Sequence, residues 1–240
     1  MNIVLFEPEE IAAPLPRTDP RATHILDVLR RQKGDTFDAG LINGPRGKAT
    51  LVDISLQFLT LAFAGGELPP PQPPLTLLIG LPRPQTARKI LQEATALGVG
   101  ALHFIATERG ETSYADSTLW SSGEWRRHLV AGAAQAFCTR LPAVSHGHSI
   151  TDVLPNLSPE ATRIALDNYE ASTDLASTLR SSAAKNIVLA IGSERGWTAT
   201  ERTILRQNRF ILAHLGPRVL RTETATVAAV AIVRSSLGWL

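Results

Sequence analysis

A chain of 240 residues with 44% hydrophobic and 19% charged residues is long enough for two domains and has the balance of a folded protein rather than a disordered one. A formal net charge of +2 excludes retention on nucleic acid by bulk charge alone. The single cysteine, Cys138, excludes an intrachain disulfide and any cysteine-based zinc cluster, and is expected to be a free buried thiol.

The opening residues MNIVLFEPEE have no basic leader, and the most apolar stretch, Val227 to Val233, is too short to span a bilayer, so a cytoplasmic, non-membrane protein is expected. Residues Arg21 to Arg31 predict a helix, with His24, Ile25, Val28 and Leu29 at helical spacing and Gly34-Asp35 stopping the run. Thr36 to Ile42, Lys48 to Ser55 and Gln57 to Phe63 read as strands, the first ending at the turn cluster Asn43-Gly44-Pro45-Arg46-Gly47. Strands with one helix over the first 66 residues suggest a small β-barrel. Five of the ten residues from Gly65 to Pro74 are proline, which donates no backbone hydrogen bond and favours extended chain. Residues 67–74 are therefore expected to link residues 1–66 to a second domain, 75–240.

Past the linker, strands and helices alternate. Leu75 to Leu81, Val99 to Ala106, Arg163 to Leu166, Ile187 to Ile191 and Phe210 to Leu215 read as strands. Arg88 to Leu97 (closed by Gly98), Glu124 to Phe137, Thr173 to Arg180, a segment from Thr198 and a last one from Thr222 read as helices. This alternation predicts an α/β domain with a mainly parallel sheet.

Ligands in such sheets lie beyond the carboxyl ends of the strands, and three ends carry unusual residues. They are Leu166-Asp167-Asn168-Tyr169-Glu170, Ile191-Gly192-Ser193-Glu194-Arg195-Gly196-Trp197, and the run from Leu215 to Ala225. Thr198-Ala199-Thr200-Glu201 fits a capping box at a helix start. The second loop is neither a dinucleotide fingerprint nor a phosphate loop, and Ser193 does not sit in a hydrolase elbow. His146-Gly147-His148 lacks the carboxylates of a metal site and is expected to be a loop, with no metal bound. In the third loop Arg218, Arg221 and Glu223 adjoin the apolar stretch Ala225 to Val233. Stranded charges there need partners, and both a mutual ion pair and contact with a ligand or RNA remain open.

The run Leu215-Gly216-Pro217-Arg218-Val219-Leu220-Arg221-Thr222-Glu223-Thr224-Ala225 resembles the signature of the RsmE family, the 16S ribosomal RNA uridine-N3 methyltransferases. Residues 191–197 resemble the family's glycine-rich loop, Lys89 to Val99 with Thr107-Glu108-Arg109 its helix–strand region, and His24 to Arg30 with Gly34-Asp35 its N-terminal barrel. The resemblance implies a PUA-like RNA-binding barrel joined to a SPOUT domain with a deep trefoil knot, S-adenosylmethionine as cofactor, a homodimer, and 16S ribosomal RNA of the small subunit as partner. Where the family reads Gly-Pro-Glu-Gly-Gly, this chain has Ser193 for the proline and Arg195 for a glycine. Tyr169-Glu170 and Arg83-Pro84-Gln85 also match poorly.

Carried onto this sequence, the cofactor would be cradled by Leu166, Ile191, Gly192, Glu194, Gly196, Leu215, Gly216, Val219, Leu220, Thr222 and Ala225. Removing the proton of uridine N3 puts negative charge on the base, which a cation stabilises and a carboxylate assists. Arg221 or Arg218 is expected in the first role, Glu223 or Glu194 in the second. Arg30, Arg31 and Lys33 are expected to hold RNA phosphates, with Arg83 and Arg140 as further RNA contacts. Two rivals remain, a SPOUT methyltransferase for another RNA position and a non-catalytic RNA-binding or ribosome-assembly factor. Product analysis separates the first, and failure to bind the cofactor would favour the second.

Overall fold

The computed structural model describes residues 3–181 and 185–239. Residues 1 and 2 of the expected barrel, and 182–184 and 240 of the expected α/β segment, lie outside the described residues. The chain divides into two compact units, one of residues 1–71 with 133–141, the other of residues 72–132 with 142–240. The division falls within the proline run; that residues 133–141 join the first unit has no signal in the sequence.

In the first unit, β1 (Val4–Phe6), β2 (Leu15–Pro16), β3 (Thr36–Leu41), β4 (Arg46–Ile54) and β5 (Phe58–Gly65) form a curled mixed sheet in the order β1-β3-β4-β5-β2. Only β1 and β3 run parallel. Apolar residues on one face of each strand, among them Phe6, Phe37, Ala49, Leu51 and Leu59, meet in one core. The helix expected over Arg21 to Arg31 is shorter and wider than a regular α-helix. A single turn, α1 (Pro20–Thr23), is capped by Asp19 and continues as a π-helix, His24–Val28. There the N–H of Leu29 bonds to the carbonyl of His24, and the extra residue per turn brings Ile25, Leu26 and Leu29 against the core together. Arg30, at φ +53°, ends the run.

Within the second unit, β6 (Leu75–Gly80), β7 (Ala101–Ala106), β8 (Ala143–Ser149), β9 (Thr162–Leu166), β10 (Ile187–Ile191) and β11 (Ile211–Ala213) form an all-parallel sheet in the order β11-β9-β10-β6-β7-β8. The inner strands are nearly uninterrupted apolar runs because helices cover them. Those helices are α2 (Pro84–Ala96), α3 (Thr118–Ser121), α4 (Glu124–Gln135), α5 (Ile150–Val153), α6 (Leu175–Arg180), α7 (Ala199–Gln207) and α8 (Thr222–Ser236). Helix α2 starts four residues before the expected Arg88, because Pro84 takes the first helical position, where its missing N–H costs nothing. The capping box at Thr198 and Glu201 is present.

Two expectations are corrected. His146-Gly147-His148 is a bulged piece of edge strand β8 rather than a loop. His146 pairs with Phe104 and His148 with Ile105, so Gly147, at φ +80°, is the extra residue. Cys138 is free but only half-buried, its sulfur accepting the N–H of Arg140 at 3.4 Å. The stretch Ala225 to Val233 is not buried all round: Thr226, Ala229, Val230 and Val233 face inward while Val227 is exposed. Among the described residues no helix is long and apolar enough to cross a membrane.

Candidate functional site

Four neighbouring strands, β11, β9, β10 and β6, end on the same side of the sheet, as parallel strands must. The loops that follow them surround a cavity of about 510 Å³. This is the place where an open parallel sheet offers its loops to a ligand.

The loops after β9, β10 and β11 are each tied down before they reach the cavity. The loop after β9 begins with Asp167, whose N–H bonds to the carbonyl of Ala213. Its buried carboxylate accepts the N–H groups of Tyr169 at 2.9 Å and Glu170 at 2.6 Å, and the Nε of Arg202 at 2.7 Å. The loop after β10 turns at Gly196, φ +66°, and is anchored by buried Trp197, whose indole N–H donates to the Leu166 carbonyl at 3.0 Å. A side chain at Gly192 would come within 3.1 Å of the Gly196 Cα, a close approach where the loop doubles back on itself, and Gly196 takes a left-handed conformation that glycine adopts freely. The loop after β11 is pinned by His214, whose Nδ1 accepts the N–H of Gly216 at 3.1 Å.

The structure brings most of the sequence-predicted residues together. Leu166, Ile191, Gly192, Glu194, Gly196, Leu215, Val219, Leu220, Thr222 and Ala225 line the cavity, as do Arg218, Arg221 and Glu223. Gly216 does not line it; its φ of +105° makes the turn that carries Leu215 and Val219 there. Arg83, expected on RNA, stands at the same cavity. Its backbone N–H donates to Glu194 at 3.1 Å. Sequence reasoning missed Thr86, Asn168 and Trp197 as lining residues, and gave no role to Asp167, Tyr169 and Ser193. Only their place in the loops flagged the residues other than Thr86, since Asp167 meets Arg202 across 35 positions of sequence, and nothing flagged Thr86, which lies in α2.

The ion pair left open within the third loop does not form. Glu223, half-buried, faces Lys89 at 3.5 Å, and Arg218 and Arg221 are exposed. With Arg83 and Arg195, also exposed, they set four guanidinium groups around the cavity, none in an ion pair among the described residues. The cavity thus joins an apolar wall (Leu166, Ile191, Leu215, Leu220) to a cationic rim. Among the described residues no group of three or more His, Cys, Asp or Glu is placed to hold a metal ion.

The other predicted RNA contacts lie in the first unit. Arg30 is exposed, and Lys33 pairs with Asp53 at 2.8 Å. Arg31 is half-buried, with its Nε lacking a hydrogen-bond partner among the described residues. Arg140 donates to the carbonyls of Pro69 and Pro70, at 3.1 and 2.9 Å, and is committed to holding that proline run.

Residues 69–234 match the RNA methyltransferase domain family. The chain is 38% identical over 245 residues to a ribosomal RNA small subunit methyltransferase E of Treponema pallidum, covering 97% of this chain and 90% of that protein. It is 29% identical to a ribosomal RNA small subunit methyltransferase E 1 of Borreliella burgdorferi over 99% of both. Among solved structures, a probable rRNA-methyltransferase from Porphyromonas gingivalis superposes with a TM-score of 0.82 at 21% identity, covering 100% of this chain and 99% of that one. A ribosomal RNA small subunit methyltransferase E from Neisseria gonorrhoeae, bound to S-adenosyl methionine, superposes at 0.76 with 22% identity, over 98% of this chain and 97% of that one. These two structures share the fold.

Proposed function

Because the chain belongs to the ribosomal RNA small subunit methyltransferase E family, we propose that it methylates N3 of a uridine in 16S ribosomal RNA of the small subunit, with S-adenosylmethionine as donor. The observation that carries this reading is the cavity at the carboxyl ends of four parallel strands, apolar on one wall and ringed by unpaired arginines.

The residues present fit such a cofactor. Backbone can approach a ligand closely at Gly192 and Gly196, and Leu166, Ile191, Leu215 and Leu220 offer apolar surface suited to an adenine. When bound, the cofactor supplies the methyl group from its sulfonium. The chain's own residues must do the rest. The cavity fixes the base in line, which supplies much of the acceleration in a displacement of this kind. The uridine N3 proton leaves to Glu223 or Glu194, and Arg221 or Arg218 faces the charge that develops on the base oxygens.

The curled first unit serves on this reading as the PUA-like RNA-binding module. On the same reading the second unit carries the trefoil knot of its family. On the same reading the protein works as a homodimer.

Calorimetric titration of the wild type with S-adenosylmethionine tests the reading, together with Arg221→Ala. Saturable binding is expected in both proteins, with turnover on 16S ribosomal RNA about a hundredfold lower in the variant. Normal turnover by Arg221→Ala would remove the charge role. A folded wild type that binds RNA but not the cofactor would identify an RNA-binding factor, for which Ser193 and Arg195 would be the reason.

A further inference from the structure

Tyr169 sits on the lining of the cavity and is 76% exposed. A large ring left in water gives up the stabilisation that burial would bring, yet this one is held firmly. Arg202 lies beneath it, guanidinium carbon 5.3 Å from the ring centroid. Arg202 is itself buried and fixed by the 2.7 Å bond to Asp167, with Glu170 at 3.5 Å. Asp167 also takes the N–H groups of Tyr169 and Glu170, and Arg206 closes the network on Glu170 at 2.6 Å. A buried ion pair carries a desolvation cost and is weak evidence of stabilisation; what it produces here is an exposed ring at a fixed place. That place adjoins the glycine loop: a side-chain atom at Gly196 would lie 3.8 Å from Tyr169 Cε2. Exposed Arg195 stands next in the chain, and Arg218 lines the same cavity.

A ring whose one face rests on a guanidinium and whose remaining surface meets solvent, with arginines around it, is the combination that holds unpaired nucleic acid. Aromatic faces stack bases and the cations take phosphates. We propose that Tyr169 is the platform on which an unpaired base of the RNA substrate stacks at the mouth of the cavity, with Asp167 and Arg202 as its positioning residues. The proposal rests on the methyltransferase reading for the identity of the RNA, and on the rim geometry for the stacking.

The test compares wild type, Tyr169→Phe and Tyr169→Ala in two titrations, each on protein shown to be folded by its melting curve. One uses a fluorescently labelled single-stranded RNA containing uridines, the other S-adenosylmethionine. Tyr169→Ala is expected to bind the RNA about tenfold more weakly, Tyr169→Phe within about twofold of wild type, and both to keep the cofactor affinity. Equal RNA affinity in all three, or no RNA binding by the wild type, would overturn the platform. So would loss of cofactor affinity in Tyr169→Ala with RNA binding intact, which would place the ring in the cofactor cradle. If RNA binding falls as expected but no protein in the set takes the cofactor, the platform stands and the methyltransferase reading fails.

Discussion

Gly80 closes β6 directly beneath the glycine loop, and its missing side chain is what lets that loop lie there. A Cβ at this position would fall 2.4 Å from the backbone N of Ser193 and 3.0 Å from the carbonyl carbon of Gly192. Backbone cannot step aside as the end of a flexible side chain can. Gly80→Ala is therefore expected to push residues 192–197 out of place and lower affinity for S-adenosylmethionine at least tenfold. The protein should stay folded, since overpacking of this size costs on the order of 1–3 kcal/mol. Calorimetry beside a thermal melt checks it, and cofactor affinity equal to wild type would show that the loop adjusts freely. Nothing in the local sequence announces this role, because Gly80 reads as the end of an apolar strand and its partner lies more than a hundred positions later. Arg218, Arg221 and Glu223 were legible for the opposite reason. They sit within six residues of one another where a loop enters an apolar helix, so their need for partners shows in the sequence, although the partner of Glu223 proved to be Lys89.

The same contrast holds for elements. Ile187 to Ile191 is five apolar residues and forms a strand over just those five, all buried. Strand β8 hides, because an edge strand reading AVSHGHS is half-exposed and has no alternation to detect. The pair β7 and β8 is expected to carry a pH dependence of its own. His103 Nδ1 lies 2.7 Å from Ser145 Oγ, joining β7 to β8, and His146 stacks on Trp120 with centroids 4.6 Å apart. Burial, and after it the charge of nearby His148, holds both His103 and His146 below the usual imidazole range. For these groups the unfolded chain binds more protons than the folded one. Their contribution to stability is thus complete above the unfolded pKa of about 6.5, and it is lost as the pH falls below that value toward the folded ones. A lower melting midpoint at pH 5.5 than at 7.5 is expected, with part of the drop removed in His103→Asn. Identical midpoints for the wild type across this window would show that the two imidazoles titrate freely in the fold.

Across the whole molecule, a formal charge of +2 leaves RNA binding to where the cations stand rather than to how many there are. Their partners rank them. Arg30 is exposed, at a left-handed position that ends the π-helix, whereas Lys33 already shares its charge with Asp53 and Arg140 is spent on the carbonyls of Pro69 and Pro70. Removing one cation that neutralises a phosphate lowers the slope of log affinity against log salt by about one. Arg30→Ala should therefore flatten the salt dependence of RNA binding by about that amount, and Lys33→Ala by less. Arg140→Ala should leave the slope alone and lower the melting midpoint, because it frees two carbonyls of a proline run that has few donors of its own. Salt titrations of the three variants with the same RNA decide the ranking. If Arg30→Ala leaves the slope unchanged while Arg195→Ala and Arg218→Ala each reduce it, the phosphates are gripped at the cavity rim of the second unit. The first unit would then need another role than holding RNA.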